Sequence, residues 1–228
     1  MTDILLRLRI NYTKAGRLRY LSHLETTRAL ERLIRRADLP YAISQGFNAH
    51  MRFASGPALP VGTEGLDELF DVILTEYVVP DEAQKRLQAA TVEGILILST
   101  DYVDLKAKGL QATHIHETYR VVVESSEISA PELENCLHGI IAKGQLTKYK
   151  RGMQKIYDLS KIVKDPSCVQ VLPVEDLLLV MMKLKTGAEG SVRPEDMIEA
   201  ALAEKNDWKI RSVTRIRLAE SPDRDGNV

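Results

Sequence analysis

Ile4, Leu6, Leu8 and Ile10 alternate with Leu5, Arg7, Arg9 and Asn11, a period of two that predicts a half-buried strand at the start of the chain. After a polar loop through Gly16, Ser22-His23-Leu24-Glu25 has the form of a capping box and opens a predicted helix reaching about Ala37. Leu30, Leu33, Ile34 and Ala37 form its apolar stripe, and Arg28, Arg32, Arg35 and Arg36 occupy other faces. Tyr41 and Ile43 are expected in a short strand, followed by a loop from Ser44 to Phe53. A strand follows over Leu69–Tyr77, with Phe70, Val72 and Leu74 inward and Asp71 and Thr75 outward. Pro80-Asp81-Glu82 opens a second helix, with Ala83, Leu87 and Ala90 on its apolar side, and Gly94–Thr100 closes the unit as a strand.

The same order recurs downstream. Tyr119, Val121 and Val123 share one face of a strand over His116–Glu124, and Ser129-Ala130-Pro131-Glu132 is a second capping box. The helix it opens carries Leu133, Leu137, Ile140 and Ile141. Strand-like runs lie around Tyr149, Ile156-Tyr157 and Val169–Val171, then over Leu177–Leu184; Arg193-Pro194 opens a helix, and Ile210–Leu218 reads as the last strand. The fold class is therefore α+β, read as two tandem ferredoxin-like β-α-β-β-α-β units. Residues 1–108 form the first unit, 109–220 the second and 221–228 a disordered tail. This arrangement resembles the fold of CRISPR repeat-processing endoribonucleases, an analogy that supplies no catalytic assignment.

Composition narrows the class. A 44% hydrophobic, 28% charged chain is globular rather than disordered. Apolar runs such as Leu177–Met182 are far too short to span a bilayer, and no charged-then-apolar leader precedes the first strand, so a cytoplasmic protein without membrane contact is expected. Cys136 and Cys168 have no C-x-x-C spacing. Net charge is −1 but segregated: residues 1–60 hold 10 Lys/Arg against 4 Asp/Glu, and residues 61–135 hold 5 against 15. A field of this kind orients a polyanion along its basic part.

Four groups of residues bear on chemistry. Lys14, Arg17, Arg19, Arg28, Arg32, Arg35, Arg36 and Arg52 could neutralise a nucleic-acid backbone, with Tyr20, Phe47 and Phe53 available to stack on unpaired bases. The competing reading is a soluble helix whose arginines pair with Glu25 and Glu31. His23 and His50 are weak candidates for acid–base work; local hydrogen bonding by His23 and loop ordering by His50 compete with it. His114 and His116 share a face if the segment is extended, but lack a third metal ligand, so no metal site is assigned. The glycine-bearing run Gly187–Arg193 enters a helix, where Arg193 could meet a phosphate. No G-x-x-x-x-G-K, G-x-S-x-G, H-E-x-x-H or cysteine cluster occurs, and no cofactor is expected.

Lys14-x-Gly16-x-x-Arg19-Tyr20-Leu21-Ser22-His23-Leu24, Ser44-x-Gly46-Phe47-Asn48-x-His50 and Leu59-Pro60-Val61-Gly62 together resemble a family of bacterial radical-SAM-linked proteins. Gly190-Ser191-Val192-Arg193-Pro194 and the arginine-rich closing strand fit as well. Members carry a domain of unknown function, fused to or encoded beside a radical SAM protein. Where the family usually reads Gly-Phe-Asn-Pro-His-Pro, this chain has Ala49 and Met51 in place of the prolines, which implies a less rigid loop. The resemblance implies a radical SAM enzyme as partner. With the basic residues it leads to the expectation of a non-catalytic accessory protein that presents RNA to that enzyme. In this reading Lys14, Arg19, Arg28, Arg35, Arg36, Arg52 and Arg193 hold phosphates, and Phe47, Asn48 and His50 order a nucleotide. Two alternatives stay open: a metal-independent endoribonuclease using His23 or His50, and a protein-interaction module docking through the acidic stretch Glu64–Glu82.

Overall fold

Buried Leu8, Ile10 and Tyr12 on strand β1 (Leu6–Lys14) show why the first unit folds as it does: one face of an alternating strand must be covered by helices. In the computed structural model, residues 4–150, 152–186 and 191–220 are described, apart from the side chains of residues 114, 115, 150, 219 and 220. The covering elements are α1 (His23–Arg36) and α2 (Pro80–Ala90), reached after a 3₁₀ turn at Gly16–Tyr20. Leu30, Leu33 and Ile34 of α1 and Ala83 and Leu87 of α2 are buried in one cluster with Phe70, Val72 and Leu74 of β3 (Glu64–Leu74). β1 lies between β3 and β4 (Ile95–Val103), antiparallel to both, and β2 (Phe53–Ser55) pairs antiparallel with β3.

Two expectations are corrected here. Tyr41 and Ile43 form only isolated bridges, to Leu74 and Met51, and the strand β2 lies twelve residues further on, inside the expected loop. The chain turns outward at Ala42 to build a projection, and pairing resumes where the Phe53 ring stacks on Phe70, 5.4 Å between centroids. Asp71, expected outward, is buried, because the sheet face opposite α1 and α2 is not bare. The segment running into the short helix α3 (Leu110–Thr113) covers part of it, with Leu110 buried and Arg7 Nη1 donating to the Ala107 carbonyl at 2.7 Å.

The second unit follows a division between His114 and Ile115. It contains β5 (His114–Ser125), α4 (Ala130–Ala142), the hairpin β6 (Gln145–Lys150) and β7 (Met153–Asp158), then β8 (Val169–Val174), β9 (Leu177–Lys185), α5 (Pro194–Ala201) and β10 (Trp208–Glu220). Its strand order is β10-β5-β9-β8, with β6 and β7 in a two-stranded sheet of their own. Tyr119, Val121 and Val123 of β5 are buried with Leu133 and Leu137 of α4 and Met197 and Ile198 of α5. The protein is thus mixed α+β with mostly antiparallel strand pairs, and among the described residues no helix is long and apolar enough to cross a membrane. The tail from residue 221 and the run Gly187–Gly190 lie outside the described residues.

Candidate nucleic-acid interface

Between α1 and β2 the chain builds an exposed finger. Its root is stitched to β3: Ala42 N–H donates to the Ile73 carbonyl at 2.7 Å, and Ile73 N–H donates to the Arg52 carbonyl at 3.0 Å. The finger's two sides are joined by Arg52 N–H to the Ala42 carbonyl at 2.9 Å and Ser44 N–H to the His50 carbonyl at 2.8 Å. The tip, residues 45–49, is exposed throughout, and Gly46 turns it with φ +123°, a conformation open to glycine. Phe47 next to it is fully exposed. An apolar ring held out in this way forgoes about 1.5–3 kcal/mol of burial. Such a residue on a shaped turn is more informative than a scattered surface apolar group.

His50 is oriented rather than loose. Its Nδ1 lies 3.0 Å from the Asn48 carbonyl and 3.0 Å from Ser44 Oγ, and its own amide donates to Ser44 Oγ at 3.1 Å. With its proton on Nδ1 the ring donates to the Asn48 carbonyl, and Nε2 is the nitrogen left for a ligand. His50 and exposed Arg52 border an open groove of about 410 Å³, a size common for small-ligand sites. Met51, Ile73, Ala54 and Leu105 give it an apolar lining, and Arg7 and Asp71 lie at its floor. Two arginines share one carboxylate at the floor: Asp71 Oδ2 accepts from Arg7 Nε at 2.7 Å and Oδ1 from Arg9 Nε at 3.0 Å. Exposed Arg52 adds a further cation at the groove's edge. Among the described residues Arg52 has no ion pair.

The remaining expected site residues do not gather in this groove. Lys14 is 2% exposed and its ammonium donates to the Leu21 carbonyl at 2.9 Å, so it holds the 3₁₀ turn against β1 and is removed from any phosphate-binding surface. Arg19 is shared between Glu64 (3.5 Å) and the Tyr20 ring (5.0 Å). Arg35 faces Glu31 at 3.8 Å and the Tyr41 ring at 5.9 Å, just before the finger root. Arg28, Arg32 and Arg36 are exposed at four-residue spacing along α1, a stripe on the solvent side of the helix layer. His23 Nε2 lies 3.3 Å from Ser55 Oγ and lines a niche of about 20 Å³ with Tyr12, Lys14 and Glu68, room for little more than a water. That niche lies on the helix-covered side of the sheet, whereas the groove lies on the Asp71 side, so His23 and His50 share no site. Arg193, exposed at the start of α5, belongs to the second unit. His116 is exposed on β5, and the His114 side chain lies outside the described residues. Among the described residues no group of three His, Cys, Asp or Glu side chains is placed to hold a metal ion.

Ser44, Leu105, Arg7 and Asp71 are site residues that sequence reasoning missed. Ser44 was open to detection, as a serine six residues before a histidine across a glycine turn. Leu105 and the Arg7–Asp71 pair come together over long sequence separations, which no local pattern reveals.

Comparison with known proteins gives a fold and a family. No curated protein matches the sequence. A chain of a crystallised Cbf5–Nop10–Gar1 complex is similar in structure, with TM-score 0.50 and 10% identity over 92% of this chain and 48% of that one. An archaeal box H/ACA sRNP Nop10–Cbf5 complex follows, at TM-score 0.48 and 10% identity over 93% of this chain and 48% of that one. The chain spans about half the length of these solved chains, and at 10% identity the likeness to the chain of the Cbf5–Nop10–Gar1 complex concerns fold alone. A crystallised unknown protein from Galdieria sulphuraria aligns over 96% of this chain and 99% of its own, with TM-score 0.27 and 11% identity. Residues 7–194 match the family described as an uncharacterized protein conserved in bacteria (DUF2344), and the chain belongs to that family.

Proposed function

We propose that this protein is a non-catalytic RNA-binding accessory protein, which holds an RNA by the finger and the groove behind it and presents it to a radical SAM enzyme. The observation that carries the reading is Phe47, a fully exposed ring on a glycine turn beside an oriented imidazole and an arginine with no ion pair among the described residues. An unstacked base covers such a ring whatever its identity, a contact worth about 1–3 kcal/mol. His50 Nε2 and the Asn48 amide offer polar contacts to the base edge, and Arg52 a fork for its phosphate. Arg35, beside Tyr41 at the finger root, and Arg36, Arg32 and Arg28 on the solvent side of α1 are separate phosphate contacts in this reading, since α1 covers the sheet face opposite the groove. Arg19 and Arg193 are further phosphate contacts in this reading. The radical SAM partner rests on the resemblance of the Lys14–Leu24 and Ser44–His50 motifs. We also read both units as ferredoxin-like; the orders β4-β1-β3 with β2 on β3, and β10-β5-β9-β8, support it.

Neither alternative gains a comparable observation. An endoribonuclease would need an acid and a base together, and His23 and His50 line different sites. A docking strip over Glu64–Glu82 gives much of its charge to internal partners: Glu64 to Arg19, Asp71 to Arg7 and Arg9, and Glu82 to Arg86, while Glu68 is buried.

Filter binding of unstructured RNA over a salt series tests the proposal. Phe47→Ala should weaken affinity about tenfold at every salt concentration. Arg52→Gln should flatten the salt slope by about 0.7, the value for one phosphate contact on a single strand. No binding by the unmodified protein at low salt would end the reading. RNA cleavage in chelator that disappears in His50→Ala would replace it with the enzyme.

A further inference from the structure

We infer that the groove behind the finger takes the base of one nucleotide of the bound strand, next to the base that covers Phe47, and that Leu105 closes over it. The inference deepens the proposed function above and rests on it. All of the groove's lining belongs to the first unit. Its floor is part of the sheet: Ala54 stands across from Asp71, and Asp71 and Ile73 share the face opposite α1 and α2. Ser44, His50 and Arg52 of the finger form one bank. The other comes from beyond β4, where Leu105 belongs to the exposed run 104–109.

That run is anchored at both sides of Leu105. Before it, Asp104 Oδ1 accepts from the Lys106 amide at 2.7 Å. After it, Arg7, only 7% exposed, donates from Nη1 to the Ala107 carbonyl at 2.7 Å and from Nη2 to the Lys108 carbonyl at 3.4 Å. The same guanidinium is fixed from below by Asp71, so its planar fork sets the height of the run over the sheet. Leu110, at the start of α3, is buried. Leu105 lines the groove yet is 43% exposed, so it has apolar surface left for a ligand to cover.

The lining selects the occupant. Met51, Ala54, Ile73 and Leu105 are apolar, and the carboxylate and guanidinium groups among the lining residues are those of Asp71, Arg7 and Arg52. Asp71 is shared by Arg7 and Arg9, so the floor does not repel an anion, and Arg52 at the edge is exposed. A ligand for such a groove joins a flat, largely apolar body to a negative group. A nucleotide does both, with its base between Leu105 and the floor and the phosphate that links it to the neighbouring nucleotide at Arg52. A basic protein segment would meet two guanidinium groups instead. A free nucleoside monophosphate has the same chemistry; the open form of the groove and its place behind Phe47 favour a unit within a strand.

The test follows isotope-labelled methyl groups of Leu105 and Ile73 by nuclear magnetic resonance in the full chain. Either an unstructured RNA of mixed sequence or an equal mixture of the four nucleoside monophosphates is added. The RNA should shift both residues, in the unmodified protein and, at higher concentration, in Phe47→Ala. The monophosphates should need a concentration at least about tenfold higher, since they lack the second contact at the finger. In anisotropy titrations Leu105→Ala should weaken RNA binding about fivefold with the salt slope unchanged, and Leu105→Glu should weaken it further. Leu105→Met, of similar volume, should retain it. If Phe47→Ala loses affinity while the Leu105 and Ile73 methyls stay still and Leu105→Glu binds as the unmodified protein does, the groove contact is overturned and the finger reading stands. Monophosphates binding as tightly as RNA would make the groove a site for free nucleotide and overturn the strand assignment. If the unmodified protein binds neither, both readings fall.

Discussion

Asp71 ties two strands of the first unit together through charge. It is buried on the sheet face that carries the groove, and it is the carboxylate between Arg7 and Arg9. Taking one member from a buried charge cluster leaves its partners without compensation, so Asp71→Ala should cost about 3–5 kcal/mol of unfolding free energy in urea melts. A loss below about 1 kcal/mol would mean that the arginines find water or another partner. The residue also shows where a sequence pattern stops being informative. Alternation along β3 assigns Phe70, Val72 and Leu74 to one face and Asp71 to the other, and both assignments hold. What it does not reveal is that Ala107–Leu110 returns to cover that other face. Lys14 misleads in the same way, since a lysine beside a glycine in a basic stretch looks solvated until the fold closes over it.

At the scale of elements, local chemistry is legible. Both capping boxes form: the Ser22 amide donates to Glu25 and the Ser129 amide to Glu132, each at 2.8 Å. In each, the serine side-chain hydrogen bond is the largest cause holding the glutamate below its ordinary value near 4.5, followed by the serine backbone N–H. A depressed folded value adds stability above the unfolded value and loses it as pH falls through the folded one. Ser22→Ala and Ser129→Ala should therefore lower the melting temperature at neutral pH, and the gap to the unmodified protein should narrow on acidification below pH 4.5. A gap that stays constant into strong acid would deny the carboxylates their part.

The helices also close the outer strand of each unit's sheet, which no sequence pattern announces. On α2, Gln88 Oε1 accepts from Ile97 N–H at 2.9 Å and Gln84 donates to the Leu98 carbonyl at 3.0 Å. On α4, Glu134 accepts from Val171 N–H at 2.6 Å and His138 donates to the Val169 carbonyl at 3.1 Å. Two side chains four apart on a helix thus occupy backbone groups that an open edge would offer to another strand. Amide exchange should accelerate at Ile97 in Gln88→Ala and at Val171 in Glu134→Ala, with protection in β1 and β9 unchanged. Unaltered exchange at both amides would show that the strands need no such cover.

Over the whole molecule, element order carried most of the information in the sequence, and side-chain convergence carried little. The helix–strand succession of both halves can be followed from capping boxes and alternation, except that β2 lies beyond the finger instead of before it. The site was legible as a motif, Ser44 to Arg52, but not as a shape. The basic residues of the opening quarter do not form one hollow: Arg7 and Arg9 are consumed by Asp71, Lys14 is interior, and the α1 stripe faces away from the groove that Arg52 borders. Distances in sequence of up to a hundred residues decide these outcomes, and they depend on the finished fold.

The proposed contact of RNA with the Phe47 finger is measured most directly by ultraviolet cross-linking followed by peptide mapping. A uridine-rich RNA should leave its adducts on the peptide containing Gln45–Arg52, with Phe47 as the principal site, and Phe47→Ala should remove them. Adducts confined to the α2–β4 segment, or equally abundant with Phe47→Ala, would contradict it.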